Sequence, residues 1–528
     1  MLENQPADRL PAPGLQQPTR YLPLTVLLLI AATAFRLCYI ATGVLDLAPD
    51  EAHYWEWSRR LDWSYYSKGP MVAYLIAAST HWGARTDFFV RLPAVLLSFG
   101  VGLLVYLLAR DLFASTRAGF LAVLACSVNP LFAAGSILMT IDAPMVFFWT
   151  LAAYATWKAS RSPAAQTRLV WWCVSGVALG LGMLSKYTML LMVPCIGAYL
   201  LISPAARRRL REPAPYVALS IACVLCIPIV VWNAQHEWVS FRHVGALAGL
   251  TSASSEDETH FAAKTFVEFL GSQLGVASPV LFVALVVALI TFGQRGLRER
   301  RDEYLFPFLL AAPPLALFLL WSVYEKVEGN WAAPAYVTAM VAVAALWDEQ
   351  LTRAPRAAIN WIVITLLPGF GMLALAHFPG LPRHIGLALP PRVDLTRRLD
   401  GWRALGLAVG ARLQASDGNL FLFSDHYQIA SELAFYVPGE PRVYNVDAGR
   451  RMNQYDIWGG LDRLRGRNGL FVTYGDWGAP RPVQEACEAL HKVLVVETAH
   501  LGQPGQTFSI FRCVRYKGLS STPSRTAY

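Results

Sequence analysis

The first apolar run of the chain covers residues 22–45 and reads LPLTVLLLIAATAFRLCYIATGVL. A helix needs about 20 mostly apolar residues to cross the hydrocarbon core of a bilayer. This run meets that length, and it is too long for the apolar region of a cleavable signal peptide, with no convincing small-residue exit after it. It therefore predicts a first transmembrane helix.

Ten further runs of the same kind follow. They lie near residues 89–109, 118–137, 142–158, 169–185, 187–204, 214–232, 274–293, 304–323, 331–347 and 357–378. Of the 528 residues, 55% are apolar and only 15% are charged, whereas soluble proteins carry about 25% charged residues. The composition excludes an ordinary soluble enzyme and a disordered chain. It predicts a multi-span α-helical domain of about 11 helices over residues 22–378.

Every alternate short connection between the runs is basic, while the other short connections hold little more than Lys186 and Lys326. The basic residues are Arg9 and Arg20, then Arg110 and Arg117, then Lys158, Arg161 and Arg168, then Arg207, Arg208, Arg209 and Arg211, then Arg295, Arg298, Arg300 and Arg301, and finally Arg353 and Arg356. Cytoplasmic loops of bacterial membrane proteins are rich in Lys and Arg. We therefore expect the N-terminal tail, residues 1–21, in the cytoplasm, and everything after residue 378 outside it. The net charge of +9 is then a topology signal, and we expect no nucleic-acid partner.

Two exported loops are unusually long, at residues 46–88 and 233–273. Within the first loop, residues 51–60 and 70–82 are too short or too polar to span a membrane. They predict helices that lie in the membrane interface. The aromatic residues expected at headgroup depth are Trp55, Trp57, Trp63, Tyr65, Tyr66 and Trp82.

The C-terminal segment, residues 379–528, holds 31 of the charged residues of the chain. Short apolar strands are predicted near 419–424, 442–446, 469–475, 493–501 and 508–516, with helices near 425–437 and 482–492. That order is typical of a small α/β domain, which we expect in the periplasm. Cys487 and Cys513 belong to this domain and could form a disulfide in an oxidising compartment.

The strongest local signal is the motif PDEAHY at residues 49–54, just after the first span. Adjacent carboxylates point in different directions, so Asp50 can face a reacting group while Glu51 binds or orients something else. A carboxylate near a membrane has a shifted pKa and makes a usable proton acceptor. An equally good local account is a helix N-terminus with Asp50 as its cap.

Other polar residues gather at the exported ends of the runs. The candidates are Lys68, Arg91, Asp142, Lys186, His236, Arg242, His243, Lys326, Glu328, Asn330 and Trp331. Each has a simpler explanation, such as helix capping for Asp142 or a snorkelling side chain for Lys186. Unpaired charge near hydrocarbon costs a few kcal/mol, so their convergence on one face favours a substrate site. Phosphate-binding glycine loops and clustered metal ligands are absent from the sequence, and we expect no cofactor.

Several of these motifs resemble one family. The first loop, with PDEAHYWEWS at 49–58 and KGPMVAY at 68–74, resembles the bacterial protein O-mannosyltransferase-like, type-C glycosyltransferases, to which the lipid A aminoarabinose transferase is related. The resemblance continues at residues 142–144, 182–187, 233–243, 329–336, 430–436 and 451–456. The pattern after Asp50 and Glu51 differs from that of the aminoarabinose transferase, which leaves the sugar open.

The resemblance implies transfer of a sugar from a polyprenyl-phosphate donor to an acceptor outside the cytoplasm, with inversion. The acceptor would be lipid A or lipopolysaccharide, another glycan or a protein. Asp50 would be the catalytic base, supported by Glu51 and Asp142, and Lys186 would meet the donor phosphate. By their charge, Lys68, Arg91 and Arg242 are further phosphate candidates. The candidates for contacts with the substrates are His53, Tyr54, His236, His243, Lys326, Glu328, Asn330 and Trp331. A transporter of lipid-linked sugars is the alternative, since polar groups in a helical bundle also mark transport paths.

Overall fold

The computed structural model describes residues 20–247, 263–378, 380–381, 395–416 and 420–519. Within these ranges, sixteen α-helices precede residue 378. They are α1 (Tyr21–Ala41), α2 (Pro49–Ser58), α3 (Met71–Trp82), α4 (Asp87–Phe113), α5 (Thr116–Val128), α6 (Pro130–Gly135), α7 (Asp142–Arg161), α8 (Ala165–Ser185), α9 (Met192–Ile202), α10 (Ala214–Gln235), α11 (Val239–Leu247), α12 (Ala263–Ala277), α13 (Pro279–Glu299), α14 (Asp302–Trp321), α15 (Ala333–Arg353) and α16 (Pro355–His377).

Each of the eleven apolar runs is helical, which confirms the predicted multi-span helical architecture. By length and composition, eight described helices can cross a membrane: α1, α4, α8, α10, α13, α14, α15 with its leading turn, and α16. The run at 118–137 is broken between α5 and α6, because Pro130 has no backbone N–H to continue the helix. The side chain of Asn129 accepts a hydrogen bond from Phe132 and starts α6 instead.

The basic connections lie at one end of the bundle, where ion pairs join them. Lys158 in α7 lies 3.2 Å from Asp111 in α4, and Arg168 in α8 lies 2.7 Å from Glu212 before α10. Arg295 in α13 contacts Glu349 in α15 at 2.8 Å. Arg117 of α5 contacts Asp348 of α15 and joins these groups, so the arginine-rich segments that they include form one polar face.

In its described residues the C-terminal domain has four α-helices and five strands. They are α17 (Trp402–Gln414), β1 (Phe421–Ser424), α18 (Tyr427–Tyr436), β2 (Val443–Asn445), α19 (Gln454–Trp458), β3 (Gly469–Tyr474), α20 (Arg481–Glu485), β4 (Cys487–His500) and β5 (Gln503–Tyr516). The strands form one sheet in the order β2-β1-β3-β5-β4. β1 pairs in parallel with β2 and β3, and β5 pairs antiparallel with β3 and β4. The predicted α/β domain is confirmed, whereas its boundary falls next to residues outside the described ranges and stays a prediction.

One element of this domain was predicted wrongly. The helix expected over 482–492 is confined to α20, and the chain enters β4 at Cys487. Pairing with β5 along most of β4 outweighs the local helical pattern, because it satisfies the backbone hydrogen-bonding groups of both strands. Cys487 and Cys513 are joined by a disulfide between β4 and β5.

The first long loop, residues 46–88, packs beneath the C-terminal domain. α2 lies against α18, and one buried apolar cluster combines Trp55 and Trp57 of α2 with Leu433 of α18 and Leu470 of β3. The expectation of headgroup depth is therefore wrong for Trp55, Trp57, Tyr65 and Tyr66, which are at most 3% exposed. The domain covers them with protein. Trp63 and Trp82 are 53% and 88% exposed, as an interfacial position requires.

Glu56 lies in this interface and makes its stability depend on pH. Its carboxylate is fully buried and accepts hydrogen bonds from Tyr455 of α19 and, at 3.2 Å, from Arg60. Burial raises the pKa of Glu56 from 4.5 to about 7, although both partners lower it in part. Between those two values the folded protein keeps a proton that the unfolded chain has released. The free energy of unfolding therefore falls as the pH rises through this window.

We expect this contribution to amount to about 3 kcal/mol between pH 4.5 and pH 7. Glu56→Gln is neutral at every pH and should lose that part of the dependence. Thermal unfolding in lipid nanodiscs at pH 5, 6, 7 and 8 measures it. Glu485→Gln, at a carboxylate that is 48% exposed, is the matched control. An unchanged pH profile in Glu56→Gln would contradict the prediction.

Candidate active site

Asp50 lies in the first turn of α2, at the base of the C-terminal domain. Pro49 starts the helix, which leaves the side chain of Asp50 directed out of the turn and open to solvent. The hydroxyl of Tyr427 in α18 donates a hydrogen bond of 3.1 Å to its carboxylate. Desolvation by the surrounding protein raises the pKa of Asp50 above its ordinary value, although the hydrogen bond from Tyr427 and the Lys68 ammonium oppose the rise. Asp50 is thus an accessible carboxylate of increased basicity.

Lys68 is brought to the same place by a close backbone contact. A Cβ atom on the next residue, Gly69, would lie 2.1 Å from the carbonyl oxygen of Leu184 at the end of α8. Only glycine permits this approach, which places Lys68 near Lys186. Burial and the Lys186 ammonium lower the pKa of Lys68 from 10.5 to about 8, while Asp142 and Asp50 oppose the fall. Among the described residues Lys68 has no ion-pair partner.

Asp142, Lys186 and Asn330 lie beside these residues and are joined by an ion pair and a hydrogen bond. The ammonium of Lys186 lies 2.6 Å from one carboxylate oxygen of Asp142. The side-chain amide of Asn330 donates a hydrogen bond of 2.8 Å to the other. Lys186 ends α8, Asp142 starts α7, and Asn330 lies in the turn before α15, so three helix ends meet here.

Tyr54 completes the group of predicted residues that the fold brings together. It is 7% exposed. Burial, and next the neighbouring Asp50 carboxylate, raise the pKa of Tyr54 well above its ordinary value. The site therefore combines two carboxylates, two ammonium groups, an amide and two phenols, those of Tyr54 and Tyr427.

Arg91 was predicted as a phosphate-binding residue, and this prediction is wrong. Its guanidinium is only 2% exposed and bonds to the Glu51 carboxylate at 2.8 Å and to the carbonyl oxygens of Leu45 and Asp46. Glu51 also accepts hydrogen bonds from the backbone N–H groups of Ala48 and Met139. Because these bonds occupy both side chains, the pair ties the first loop to α4 and cannot reach a substrate.

His53 was expected to contact substrate, but it lies inside the aromatic interface. Its Nε2 accepts a hydrogen bond of 3.1 Å from Trp57, and its ring contacts Tyr427 and Tyr455. Burial lowers the pKa of His53 to about 3. A neutral, 6% exposed imidazole packs between α2 and the C-terminal domain instead.

Other predicted site residues lie in the second loop and in the turn before α15, and they differ in whether they border the site. His243 contacts the ring of Tyr66, and burial followed by the Lys68 charge lowers its pKa to about 4. It therefore borders the site, whereas His236 stacks on Trp232 at the end of α10. Among the remaining residues, Arg242 is exposed on α11. Lys326 and Glu328 form an exposed ion pair at 3.1 Å, and Trp331 packs on Phe318.

Tyr427 is the residue of the candidate site that the sequence did not predict. It lies 377 positions from Asp50, and a single tyrosine in a polar domain carries no signal of its own. The resemblance at residues 430–436 lies on the same helix, α18, and is the nearest available indication.

A cavity of about 230 Å³ opens beside Asp142 and Asn330. Its other walls come from α1, α4, α5 and α6 and are mainly apolar. Within the described ranges, no three His, Cys, Asp or Glu side chains approach closely enough to hold a metal ion.

Comparison with known proteins finds similarity to membrane sugar transferases. The family described as dolichyl-phosphate-mannose-protein mannosyltransferase matches residues 67–232. The lipid A galacturonosyltransferase RgtD of Rhizobium johnstonii is 29% identical over 60% of this chain and 64% of its own length. The undecaprenyl phosphate-alpha-4-amino-4-deoxy-L-arabinose arabinosyl transferase of Pseudomonas aeruginosa is 28% identical over 58% and 61%. The chain thus spans less than two thirds of these curated relatives.

Solved structures share the fold. ArnT from Cupriavidus metallidurans superposes with a TM-score of 0.60 at 15% identity, over 93% of this chain and 98% of that one. The chain is thus similar in sequence to these glycosyltransferases and shares the fold of ArnT. Archaeal oligosaccharyltransferase AglB from Archaeoglobus fulgidus shares the fold more distantly, with a TM-score of 0.54 over 86% of this chain and 69% of its own. In this chain the first loop and the C-terminal domain meet at Asp50, through the hydrogen bond from Tyr427.

Proposed function

We propose that the chain is an integral-membrane glycosyltransferase that moves a sugar from a polyprenyl-phosphate donor to an acceptor on the exported side of the membrane. The observation that carries the proposal is the accessible Asp50 carboxylate near the Lys68 ammonium, which itself lies near Lys186 where membrane helices end. Similarity to glycosyltransferases, over residues 67–232 for the mannosyltransferase family, favours this function over the transporter alternative. Relatives that act on lipid A make lipid A or lipopolysaccharide the first acceptor to test, before other glycans and proteins.

Asp50 acts as the base in this proposal. The acceptor hydroxyl attacks the anomeric carbon, the bond from that carbon to the phosphate oxygen breaks, and the bonding electrons leave with the polyprenyl phosphate. Asp50 takes the acceptor proton, and attack from the face opposite the phosphate inverts the configuration. A carboxylate of raised pKa suits this role, because it is a stronger base when ionised.

The two lysines would stabilise the departing phosphate. Lys68 has no carboxylate partner in the described ranges, and Lys186 shares its charge with Asp142. Phosphate attracts ammonium groups as point charges, and both become more effective where negative charge develops on the leaving group. Asp142 and Asn330 are then positioning residues, since they hold the Lys186 side chain in place.

The direct test uses membranes that contain the chain or an empty vector. Labelled polyprenyl-phosphate sugars are supplied together with lipid A, and labelled lipid A is measured by mass spectrometry. We expect label to appear only with the chain present. A chain that moves the labelled donor across vesicles without forming any glycosylated product would overturn the proposal.

We further infer a bacterial inner-membrane location with the N-terminus in the cytoplasm and the C-terminal domain in the periplasm. The single basic face of the bundle supports this orientation, and so does the Cys487–Cys513 disulfide, which belongs in an oxidising compartment. We expect alkaline phosphatase fused after Phe378 to be active and the same enzyme fused after Arg211 to be inactive. Activity of only the second fusion would reverse the orientation.

A further inference from the structure

Arg36 is a charged residue inside α1, a helix that is otherwise apolar. It lies five residues before the end of that helix, about 7.5 Å along its axis. Its guanidinium donates a hydrogen bond of 3.1 Å to the hydroxyl of Ser98 in α4. Among the described residues no carboxylate lies within ion-pair distance of Arg36, although charge in a membrane helix is expensive and usually functional.

Arg36 and Ser98 line the same cavity as Asp142 and Asn330. The cavity therefore has a mainly apolar lining, with the hydrogen-bonded side chains of Asp142 and Asn330 at one wall and the Arg36 guanidinium at another. Asp142 is the only carboxylate that lines it, within the described part of the chain, and Lys186 already neutralises Asp142. The cavity thus carries one uncompensated positive charge.

From this arrangement we infer that the cavity receives the sugar of the donor and that Arg36 selects a sugar bearing a carboxylate. This inference rests on the proposed function and specifies its substrate class. A planar guanidinium binds a carboxylate with two parallel hydrogen bonds. The same charge repels the ammonium of an amino sugar and finds no ion-pair partner in a neutral hexose. The other source of an anion is the phosphate of the lipid carrier.

Equilibrium binding separates these sources, because it needs neither acceptor nor turnover. The probes are polyprenyl phosphate carrying a hexuronic acid, the same carrier with the matching neutral hexose, and polyprenyl phosphate alone. The variants are Arg36→Gln and Arg36→Lys in nanodiscs. Arg20→Gln is the matched control, since Arg20 precedes the same helix and does not line the cavity.

We expect the wild-type protein to bind the uronic acid donor at least tenfold more tightly than the neutral donor. Arg36→Gln should weaken binding of the uronic acid donor by about 30-fold or more, as loss of a buried charge pair does. It should leave the neutral donor within threefold, and Arg36→Lys should lose less. Transfer to lipid A should show the same preference.

Four results would overturn the inference. Equal binding of the acidic and neutral donors by the wild type would remove the selection while leaving the proposed function intact. Equal weakening of all three probes by Arg36→Gln would assign the anion to the carrier phosphate. An Arg36→Gln protein that binds every probe like the wild type would make Arg36 a snorkelling residue. If the wild type bound none of the probes, the proposed function would fail together with the inference.

Discussion

Asp50→Asn is expected to lower the rate of sugar transfer by about 10²–10⁴-fold, the usual contribution of a positioned general base. Asparagine keeps the shape of the side chain and can still accept the hydrogen bond from Tyr427, but it cannot take the acceptor proton. The stability and donor binding of the variant should therefore stay close to those of the wild type. The rate is measured with labelled donor and lipid A in reconstituted membranes.

The control for this variant is Asp462→Asn, which removes a carboxylate that is 90% exposed on the C-terminal domain. It should leave the rate unchanged. The pH profile adds an independent test, because a base works only when ionised. Since the pKa of Asp50 is raised, kcat/KM of the wild type should fall on the acid side at a higher pH than an ordinary aspartate would give. Full activity of Asp50→Asn would refute the mechanism.

Glu51→Gln should have the largest effect on stability. The variant leaves the Arg91 guanidinium buried at 2% exposure without its counter-charge, a change that costs about 3–5 kcal/mol in other proteins. The loss is measured as a lower midpoint of thermal unfolding in nanodiscs. Glu268→Gln, which removes a 52% exposed carboxylate of α12, is the matched control.

A second variant separates the structural role of Glu51 from a catalytic one. Arg91→Met in the Glu51→Gln background removes the stranded charge and should recover part of the lost stability. The folded fraction of either variant should keep transfer activity within about tenfold of the wild type, since Asp50 is unchanged. An undiminished melting temperature together with complete loss of activity would assign Glu51 to the chemistry instead.

The helical architecture was predictable because it follows from local composition. Each run of about 20 apolar residues had to become a buried or lipid-facing helix whatever its neighbours were. The sequence also marked Asp50, Lys68, Asp142 and Lys186 as candidates, because charged residues at the ends of apolar helices are unusual. The strand β4 was partly missed, since its pairing partner β5 lies beyond it in the chain.

The sequence could not predict in the same way which charged side chains are bound within the protein and which are available to a substrate. Arg91 and Lys68 look equivalent in sequence, yet Arg91 is enclosed by Glu51 and two carbonyl oxygens while Lys68 has no ion-pair partner in the described ranges. The difference depends on which groups the fold brings within about 3 Å, the range over which hydrogen bonds form.

The sequence by itself therefore determined the membrane architecture, the α/β class of the C-terminal domain and the set of charges that need an explanation. Hydrophobic burial is a local, additive property of a segment, so composition was sufficient for these. Only the tertiary structure decided that Asp50 stays accessible, that Tyr427 reaches it from 377 residues away, and that Arg36 opens onto the same cavity as Asp142. Hydrogen bonds and ion pairs are short-ranged and directional, and their partners exist only once the chain has folded.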